Sequence, residues 1–212
     1  MVLKGAKRQA GVGDAAWGLA TPRAVEIALR FGIVAESATR TWAWPPKAEI
    51  EPGRITLVTG PSGSGKSRLL AALAQQRPDA ICVNSLPFPL DVTVLDGVAP
   101  GKPLVEALGV LSACALAEPA LWLRRFAELS VGEQFRARLA RAVSLLPNDA
   151  GGLLLCDEFG SNLHRRVAKA IAYNLRKLSR RTRIAFVLAT AHDDLATDLR
   201  ADTTIRLSAA GE

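Results

Sequence analysis

Short apolar runs alternate with longer amphipathic segments along the chain. The runs predict buried strands, because their apolar residues follow one another without helical spacing. They lie at residues 55 to 60, 81 to 83, 153 to 159, 184 to 190 and 203 to 207. The intervening segments predict helices, at residues 22 to 31, 67 to 76, 104 to 116, 119 to 127, 131 to 143 and 164 to 179. Strands that alternate with helices indicate an α/β fold in which helices flank a largely parallel sheet.

Three regions lie outside this alternation. Residues 1 to 20 are rich in Gly, Ala and basic residues without periodicity, which predicts a flexible basic tail and places one domain at residues 21 to 212. Residues 37 to 44 predict a strand that ends at the double proline after it. Residues 84 to 103 are rich in proline and predict a loop with one turn of helix.

The composition is that of a folded domain. Of the 212 residues, 49% are hydrophobic and 22% are charged, which supplies enough apolar surface for a core and excludes a globally disordered chain. The longest apolar stretch, residues 104 to 123, is interrupted by glutamates, a glycine and a proline. We therefore expect no transmembrane segment.

The cysteines indicate a cellular compartment, and the net charge indicates a class of binding partner. The three cysteines form no CxxC pair, which is typical of a reducing compartment, so we expect a cytoplasmic location. The 27 basic and 20 acidic residues give a net charge of +7, which predicts attraction to nucleic acid, acidic membranes or nucleotide phosphates. Composition alone leaves these partners open.

A phosphate-binding pattern, GPSGSGKS, lies between the first long apolar run and the helix after it. Glycines let backbone N–H groups converge on phosphates, and the helix N-terminus adds a positive dipole end. Lys66 can reach the outer phosphates, and the Ser67 hydroxyl can ligate Mg²⁺. The predicted nucleotide-binding residues are Gly60, Pro61, Ser62, Gly63, Ser64, Gly65, Lys66, Ser67 and Arg68.

Two adjacent acids end the apolar run LLLCDEF. We expect Asp157 to hold Mg²⁺ through water beside Ser67, and Glu158 to polarise the attacking water. Adjacent acids are also common where a strand ends, so this assignment depends on the phosphate loop upstream. A P-loop kinase fits these features as well as an ATPase does, because guanylate kinases have a similar phosphate loop.

Two further segments separate these alternatives. The sequence LSVGE begins a helix with Ser130 as N-cap and Gly132 in the first turn, and Glu133 lies near the positive end of the helix dipole. Such a helix N-terminus can bind an anion. His192 directly follows a buried strand, where its side chain can face the crevice of an open parallel sheet. Taken alone, each feature is more often a helix cap or a locally paired histidine.

The order of the phosphate loop, LSVGE, the acid pair and His192 resembles the nucleotide-binding domain of the ABC ATPase superfamily, over roughly residues 50 to 207. The resemblance implies a P-loop NTPase with a reduced antiparallel β portion and a shortened helical subdomain at about residues 84 to 145. It also implies Mg²⁺-dependent ATP hydrolysis.

The resemblance further implies roles for single residues. Lys66 would bind phosphate, Glu158 would be the general base, and His192 would contact the γ-phosphate and the water. Ser130 and Gly132, with Glu133 beside them, would cover the γ-phosphate of ATP held by the other subunit. ATP-dependent, head-to-tail homodimerisation follows from that arrangement.

The chain departs from the family pattern at several positions. No Gln follows the strand at residues 81 to 83, and Asn84 or Ser85 is the nearest polar substitute. His164 stands where the family has an Asp after the acid pair. Either Trp42 or Trp44 could stack on adenine. The segment between the phosphate loop and LSVGE is short, which predicts a reduced surface for a membrane subunit.

The sequence leaves several alternatives for the process that ATP hydrolysis drives. A basic cluster at residues 176 to 183 fits a solvated helix end or a phosphate-contacting stripe. We expect a compact soluble ABC-type ATPase acting on a nucleic-acid or protein partner, similar to those associated with GNAT-type acetyltransferase domains. The alternatives are the ATPase subunit of an ABC membrane transporter and a P-loop kinase.

Overall fold

The computed structural model describes residues 2 to 3, 21 to 31, 43 to 45, 48 to 147, 151 to 192 and 194 to 208. The chain divides into two compact units, Met1–Gly5 with Ala43–Glu212, and Ala6–Trp42. The predicted domain, residues 21 to 212, therefore begins inside the second unit. The described part of that unit is helix α1, Pro22–Arg30, in which Arg30 pairs with Glu26 at 2.6 Å.

The larger unit is built on a six-stranded sheet in which every described strand pairing is parallel. The strands are β1 (Val2–Leu3), β2 (Ile55–Thr59), β3 (Ile81–Cys82), β4 (Leu153–Cys156), β5 (Ala185–Thr190) and β6 (Thr203–Leu207). Their order is β1-β6-β2-β5-β4-β3. All residues of β2, β4 and β5 are buried, as expected for parallel strands whose two faces are covered by helices.

Helices connect these strands. They are α2 (Lys66–Gln76), α3 (Val94–Val98), α4 (Leu104–Ala113), α5 (Pro119–Trp122), α6 (Val131–Leu145), α7 (Arg165–Thr182) and α8 (Leu195–Leu199). A 3-10 turn, Phe126–Glu128, precedes α6. The apolar faces of α3, α4, α6 and α7 join the sheet in one continuous core. Within the described ranges, no helix is long and apolar enough to cross a membrane.

An ion cluster fixes the beginning of the central strand β2. Asp202 accepts hydrogen bonds from Arg176 at 2.5 and 2.9 Å, from Arg54 at 2.9 Å and from the Ile55 N–H at 2.8 Å. Burial opposes ionisation of this carboxyl, but the bonds from Arg176, Ile55 and Arg54 together hold its pKa well below the ordinary value. Arg176, predicted as part of the basic cluster, is therefore committed to an internal ion pair.

Several elements differ from the sequence-based predictions. Val2–Leu3, expected in a flexible tail, pair with Arg206 and Leu207 as an edge strand. The helix predicted at residues 119 to 127 stops at Trp122, because the Arg124 carbonyl accepts the Val94 N–H and Arg125 forms a bridge with Thr93. The strand predicted at residues 37 to 44 lies mostly outside the described residues, and its described end is not a strand.

Candidate functional site

The candidate site lies where three neighbouring parallel strands end. Strand β5 lies between β2 and β4, with Thr190 opposite Thr59 and Leu188 opposite Cys156. Since parallel strands have their carboxyl ends at the same edge, the phosphate loop after β2, His192 after β5 and the acid pair after β4 share that edge. The topology thus brings together three of the predicted motifs.

Left-handed glycines shape the phosphate loop. Gly60, Gly63 and Gly65 have φ values of 151°, 77° and 94°. A Cβ at Gly60 would lie 2.4 Å from the Leu207 carbonyl oxygen, so a side chain cannot fit there without moving the backbone of β6. At Gly63 a Cβ would meet no atom within 4 Å, because the top of the loop is open. The loop is therefore tightly packed at Gly60 and open to solvent at Gly63.

The polar groups of the loop fit a phosphate ligand. Lys66 Nζ donates to the carbonyl oxygens of Gly60 at 2.7 Å and Pro61 at 2.8 Å, which holds the ammonium group across the loop. Ser64 is 1% exposed, and its hydroxyl has no hydrogen-bond partner within the described structure. Ser67 and Arg68 are exposed in the first turn of α2. A buried hydroxyl without a partner beside a positive charge matches a site for phosphate oxygens.

The acid pair forms a tight corner after β4. Asp157 is half-buried, and its Oδ1 accepts the Glu158 N–H at 2.9 Å. Glu158 has φ 51°, a left-handed conformation that is uncommon for a residue with a side chain. Its carbonyl accepts the Ser161 N–H at 3.1 Å and the Ser161 hydroxyl at 2.7 Å. The exposed carboxylate of Glu158 therefore projects from a backbone turn held on both sides.

Asn84 lies beside this corner. Its Nδ2 donates to the Asp157 carbonyl at 3.0 Å, and its Oδ1 accepts the Asp157 N–H at 2.9 Å. The sequence indicated Asn84 or Ser85 as the substitute for the missing Gln, and the contact with Asp157 belongs to Asn84. The signal that could have located it is the position of Asn84 two residues after β3, the strand paired with β4.

The LSVGE segment begins α6 with a reciprocal cap. The Ser130 hydroxyl accepts the Glu133 N–H at 3.4 Å, and Glu133 Oε2 accepts the Ser130 N–H at 2.8 Å. The bond from the Ser130 N–H lowers the pKa of Glu133 below its ordinary value. A Cβ at Gly132 would lie 2.9 Å from the Asn162 carbonyl oxygen, so glycine allows the helix start to approach the loop after the acid pair. Sequence reasoning missed this role of Asn162.

Three further predicted residues have defined surroundings. The His192 N–H donates to Thr190 Oγ1 at 3.1 Å, and the side chain of His192 is exposed. His164 is the N-cap of α7, where its Nδ1 accepts the Arg166 N–H at 3.4 Å. Trp44 is 9% exposed, and its indole N–H donates to the Ala48 carbonyl at 2.6 Å.

The adenine-stacking role stays a prediction for Trp44. Its burial leaves little ring surface for a base. The alternative residue, Trp42, lies outside the described part of the chain.

Comparisons with known proteins agree with this fold. No protein-family model matches the chain. A solved structure described as the dimeric structure of MJ0796, a bacterial ABC transporter cassette, matches with a TM-score of 0.59 at 23% identity, over 76% of this chain and 83% of that one. The predicted fold class, a P-loop NTPase with a parallel sheet flanked by helices, is confirmed.

The chain belongs to the ABC ATPases. It is 30% identical to the ABC transporter ATP-binding protein YxdL of Bacillus subtilis, over 69% of this chain and 69% of YxdL. It is 33% identical to the Fe(3+) ions import ATP-binding protein FbpC of Rhizobium etli, over 69% of this chain. It is 36% identical to the tylosin resistance ATP-binding protein TlrC of Streptomyces fradiae, over 60% of this chain. The matched part spans only 49% of FbpC and 24% of TlrC.

Proposed function

We propose that this chain binds ATP with Mg²⁺ and hydrolyses it at the edge formed by β2, β5 and β4. The observation that supports this most directly is the shared edge of the phosphate loop and the acid corner, separated only by β5. Membership of the ABC ATPases favours hydrolysis over the transfer to an acceptor molecule that the kinase alternative requires.

Mg²⁺ would be held by the Ser67 hydroxyl, the Asp157 carboxylate and the ATP phosphates. Among the described residues, no group of three or more His, Cys, Asp or Glu side chains could form a metal cage. Mg²⁺ in nucleotide sites commonly has one or two carboxylates and substrate phosphates as ligands, so Ser67 and Asp157 suit it. The ion would neutralise negative charge that develops on the phosphate oxygens.

Glu158 would act as the general base. Its carboxylate would accept a proton from water while the water oxygen bonds to the γ-phosphorus and the bond to the β–γ bridging oxygen breaks, giving ADP and phosphate. His192 would orient the water and contact the γ-phosphate, and Lys66 would hold the outer phosphates. The exposed carboxylate of Glu158 and the exposed ring of His192 at one edge support this assignment.

The proposed working form is a head-to-tail homodimer that contains two ATP molecules. Ser130 is exposed at the start of α6, and Gly132 presents no side chain there, so both can approach a phosphate on a second subunit. ATP would then stabilise the dimer through linkage, because it forms part of the contact surface. The dimeric form described for MJ0796 supports this arrangement by analogy.

FbpC is named as an ion-import ATP-binding protein and YxdL as a transporter ATP-binding protein, which favours a membrane-transport partner for this ATPase. Exposed apolar side chains near the bridge between Thr93 and Arg125, namely Leu90, Val92 and Leu123, fit contact with another protein. A soluble partner in the cytoplasm is the second candidate. Three exposed basic residues at the end of α7 support it, namely Arg180, Arg181 and Arg183.

Phosphate release from ATP tests the catalytic proposal. We expect Mg²⁺-dependent release by the unaltered chain, and a rate at least about a hundredfold lower for Glu158→Gln, as is typical when a general base is lost. ATP binding should persist in that variant, because its phosphate loop is unchanged. A near-normal rate in Glu158→Gln would assign the base elsewhere, with His192→Ala the next variant to measure. ADP formation that requires an added nucleotide or polyol, with the phosphoryl group recovered on that acceptor and not as free phosphate, would support the kinase alternative.

Fractionation of cells that contain tagged chain tests the partner. Recovery with membranes that is lost in a Leu90→Asp, Leu123→Asp double variant would support the transport partner. Recovery in the membrane-free fraction, in a complex lost on Arg180→Glu and Arg181→Glu, would support the soluble partner.

A further inference from the structure

Asn84 occupies a junction between two paired strands. Ile81 and Cys82 of β3 lie opposite Leu154 and Leu155 of β4, and the Val83 N–H donates to the Leu155 carbonyl at 2.9 Å. The backbone pairing of β3 with β4 ends there. One residue later, the side chain of Asn84 continues the contact by bonding both backbone groups of Asp157.

This contact uses both polar atoms of the Asn84 amide. The Nδ2 donates to the Asp157 carbonyl, and Oδ1 accepts the Asp157 N–H. With both polar atoms turned to the Asp157 backbone, the amide is aimed at the acid corner and leaves only the second lone pair of Oδ1 for any other partner. The geometry therefore differs from that of a side chain that coordinates Mg²⁺ directly.

The bonds of Asn84 act on the residue before the proposed base. Asp157 Oδ1 accepts the Glu158 N–H, and the next N–H, from Phe159, donates to the Ala189 carbonyl at 2.7 Å. The Glu158 backbone, in its left-handed conformation, is thus held between Asn84 on the β3 side and Ala189 on the β5 side. Loss of one anchor would let the Glu158 carboxylate change direction.

The segment after Asn84 is anchored to α6. Arg141 donates through Nε to the Pro87 carbonyl at 3.1 Å and through its guanidinium to the Gly97 carbonyl. The rings of Phe88 and Phe126 stack with centroids 4.4 Å apart. The Arg138 guanidinium lies 4.9 Å from the Phe126 ring centroid. The segment that follows Asn84 is therefore held against the helix that begins at LSVGE.

We propose that Asn84 is a positioning residue that holds the Asp157–Glu158 corner so that the Glu158 carboxylate faces the attacking water. Asn84 thereby replaces the missing Gln by a bond to the backbone of the acid corner and not by coordination of Mg²⁺. This inference rests on the proposed ATPase function. It assigns no direct contact with ATP to Asn84.

Kinetics of Asn84→Ala test the proposal. Misplacement of a catalytic group by about 1 Å can lower a rate about a hundredfold, so we expect kcat to fall by about tenfold to a hundredfold. KM for ATP should stay unchanged, because Lys66 and Ser67 remain, and the Mg²⁺ concentration at half-maximal rate should shift by less than kcat falls, because the Asp157 carboxylate is also retained. The matched control is Ser85→Ala, the adjacent exposed polar residue, which should keep kcat unchanged.

A double variant shows whether Asn84 acts through Glu158. In Glu158→Gln protein, a further Asn84→Ala change should not lower the residual rate, since the base that Asn84 positions is already absent. In the chain with Glu158 intact, Asn84→Gln keeps the amide and should recover part of the rate that Asn84→Ala loses. Thermal unfolding of each variant identifies any general loss of structure.

Four outcomes would overturn the proposal. They are an unchanged kcat in Asn84→Ala, an additive loss in the double variant, a Mg²⁺ requirement that shifts by as much as kcat falls, and a rate loss that follows the loss of thermal stability alone. Inactivity of the unaltered chain would instead reject the ATPase function and this inference with it.

Discussion

Helices α2 and α6 both begin at motifs expected to bind phosphate, yet they begin in different ways. Helix α2 follows Gly65 in a left-handed conformation and has no side-chain cap. Helix α6 follows Ser130, and Ser130 and Glu133 satisfy each other's backbone N–H groups. The first N–H groups of α2 thus need an external acceptor, whereas the start of α6 is stable without one. Phosphate binding should therefore depend mainly on α2, and α6 should act as a preformed surface.

The largest expected effect is at the start of α2. Lys66→Ala removes a charge-assisted hydrogen bond to the phosphates, which we expect to cost about 1.5–3 kcal/mol, or about tenfold or more in ATP affinity. Equilibrium binding of a fluorescent ATP analogue measures it. Lys177→Ala removes an equal charge from an exposed position over the Tyr173 ring and should leave affinity unchanged. Equal affinities for the Lys66 variant and the unaltered chain would remove the distinction between the two helix starts.

A smaller effect is expected at the start of α6, and only on assembly. Ser130→Arg adds bulk where a partner's phosphate would lie. Gly132→Asp adds negative charge there, but its Cβ would also press on the Asn162 carbonyl, so Ser130→Arg is the variant that separates assembly from local folding. We expect the ATP-bound dimer of Glu158→Gln protein to weaken at least about tenfold, equivalent to about 1.4 kcal/mol, while ATP affinity of the single chain is unchanged.

Sedimentation velocity at micromolar concentration, with and without ATP, measures the assembly. The control is Val131→Ala, which shortens the exposed side chain between Ser130 and Gly132 and should keep the dimer. A Glu158→Gln chain that stays monomeric with ATP would count against the proposed dimer altogether.

The smallest effect concerns the cap itself. Glu133→Ala removes the acceptor for the Ser130 N–H and should lower the free energy of unfolding by about 1 kcal/mol, the usual size of a cap. Because the folded pKa of Glu133 lies below its unfolded value of about 4.3, its ionised form stabilises the fold above that pH. This contribution is lost as the pH falls through the folded pKa. Urea unfolding should show the free energies of unfolding of Glu133→Ala and the unaltered chain converging at acid pH. A difference that stays constant down to the lowest pH would contradict the stabilising role of ionised Glu133.

Contiguous apolar runs allowed the main strands to be predicted from sequence. Strands β4 and β5 are buried on both faces, so apolar residues follow one another in their sequences. The spaced polar residues of an amphipathic helix or a half-exposed strand are absent there. The edge strand β1 has two residues and pairs through its backbone, so it leaves no pattern to detect. The end of α5 at Trp122 is set by the distant Val94 N–H, which donates to the Arg124 carbonyl, and by the Trp122 indole N–H, which donates to the Leu116 carbonyl. Local sequence does not encode such contacts.

The candidate site was predictable where a motif carries its own geometry. GPSGSGKS and the acid pair define chemistry by residue type and spacing, and the structure places both at one edge. Asn84 was predictable only as a polar residue near the missing Gln, because its hydrogen bonds depend on the alignment of β3 with β4. Arg176 was predicted within a basic cluster, since sequence could not show that Asp202 folds back to pair with it.

The position of β2 at the centre of the sheet has a consequence for synthesis. Ile55 lies opposite Phe186, and Val58 lies opposite Ile205, so both neighbours of β2 are translated long after it. The phosphate loop cannot acquire its final shape until those late strands have emerged from the ribosome, because Gly60 packs on the Leu207 carbonyl. Folding dominated by such remote pairings is slow, and it leaves the apolar β2 exposed on the nascent chain meanwhile. Nucleotide affinity is therefore a property that the growing polypeptide gains only near the completion of its sheet.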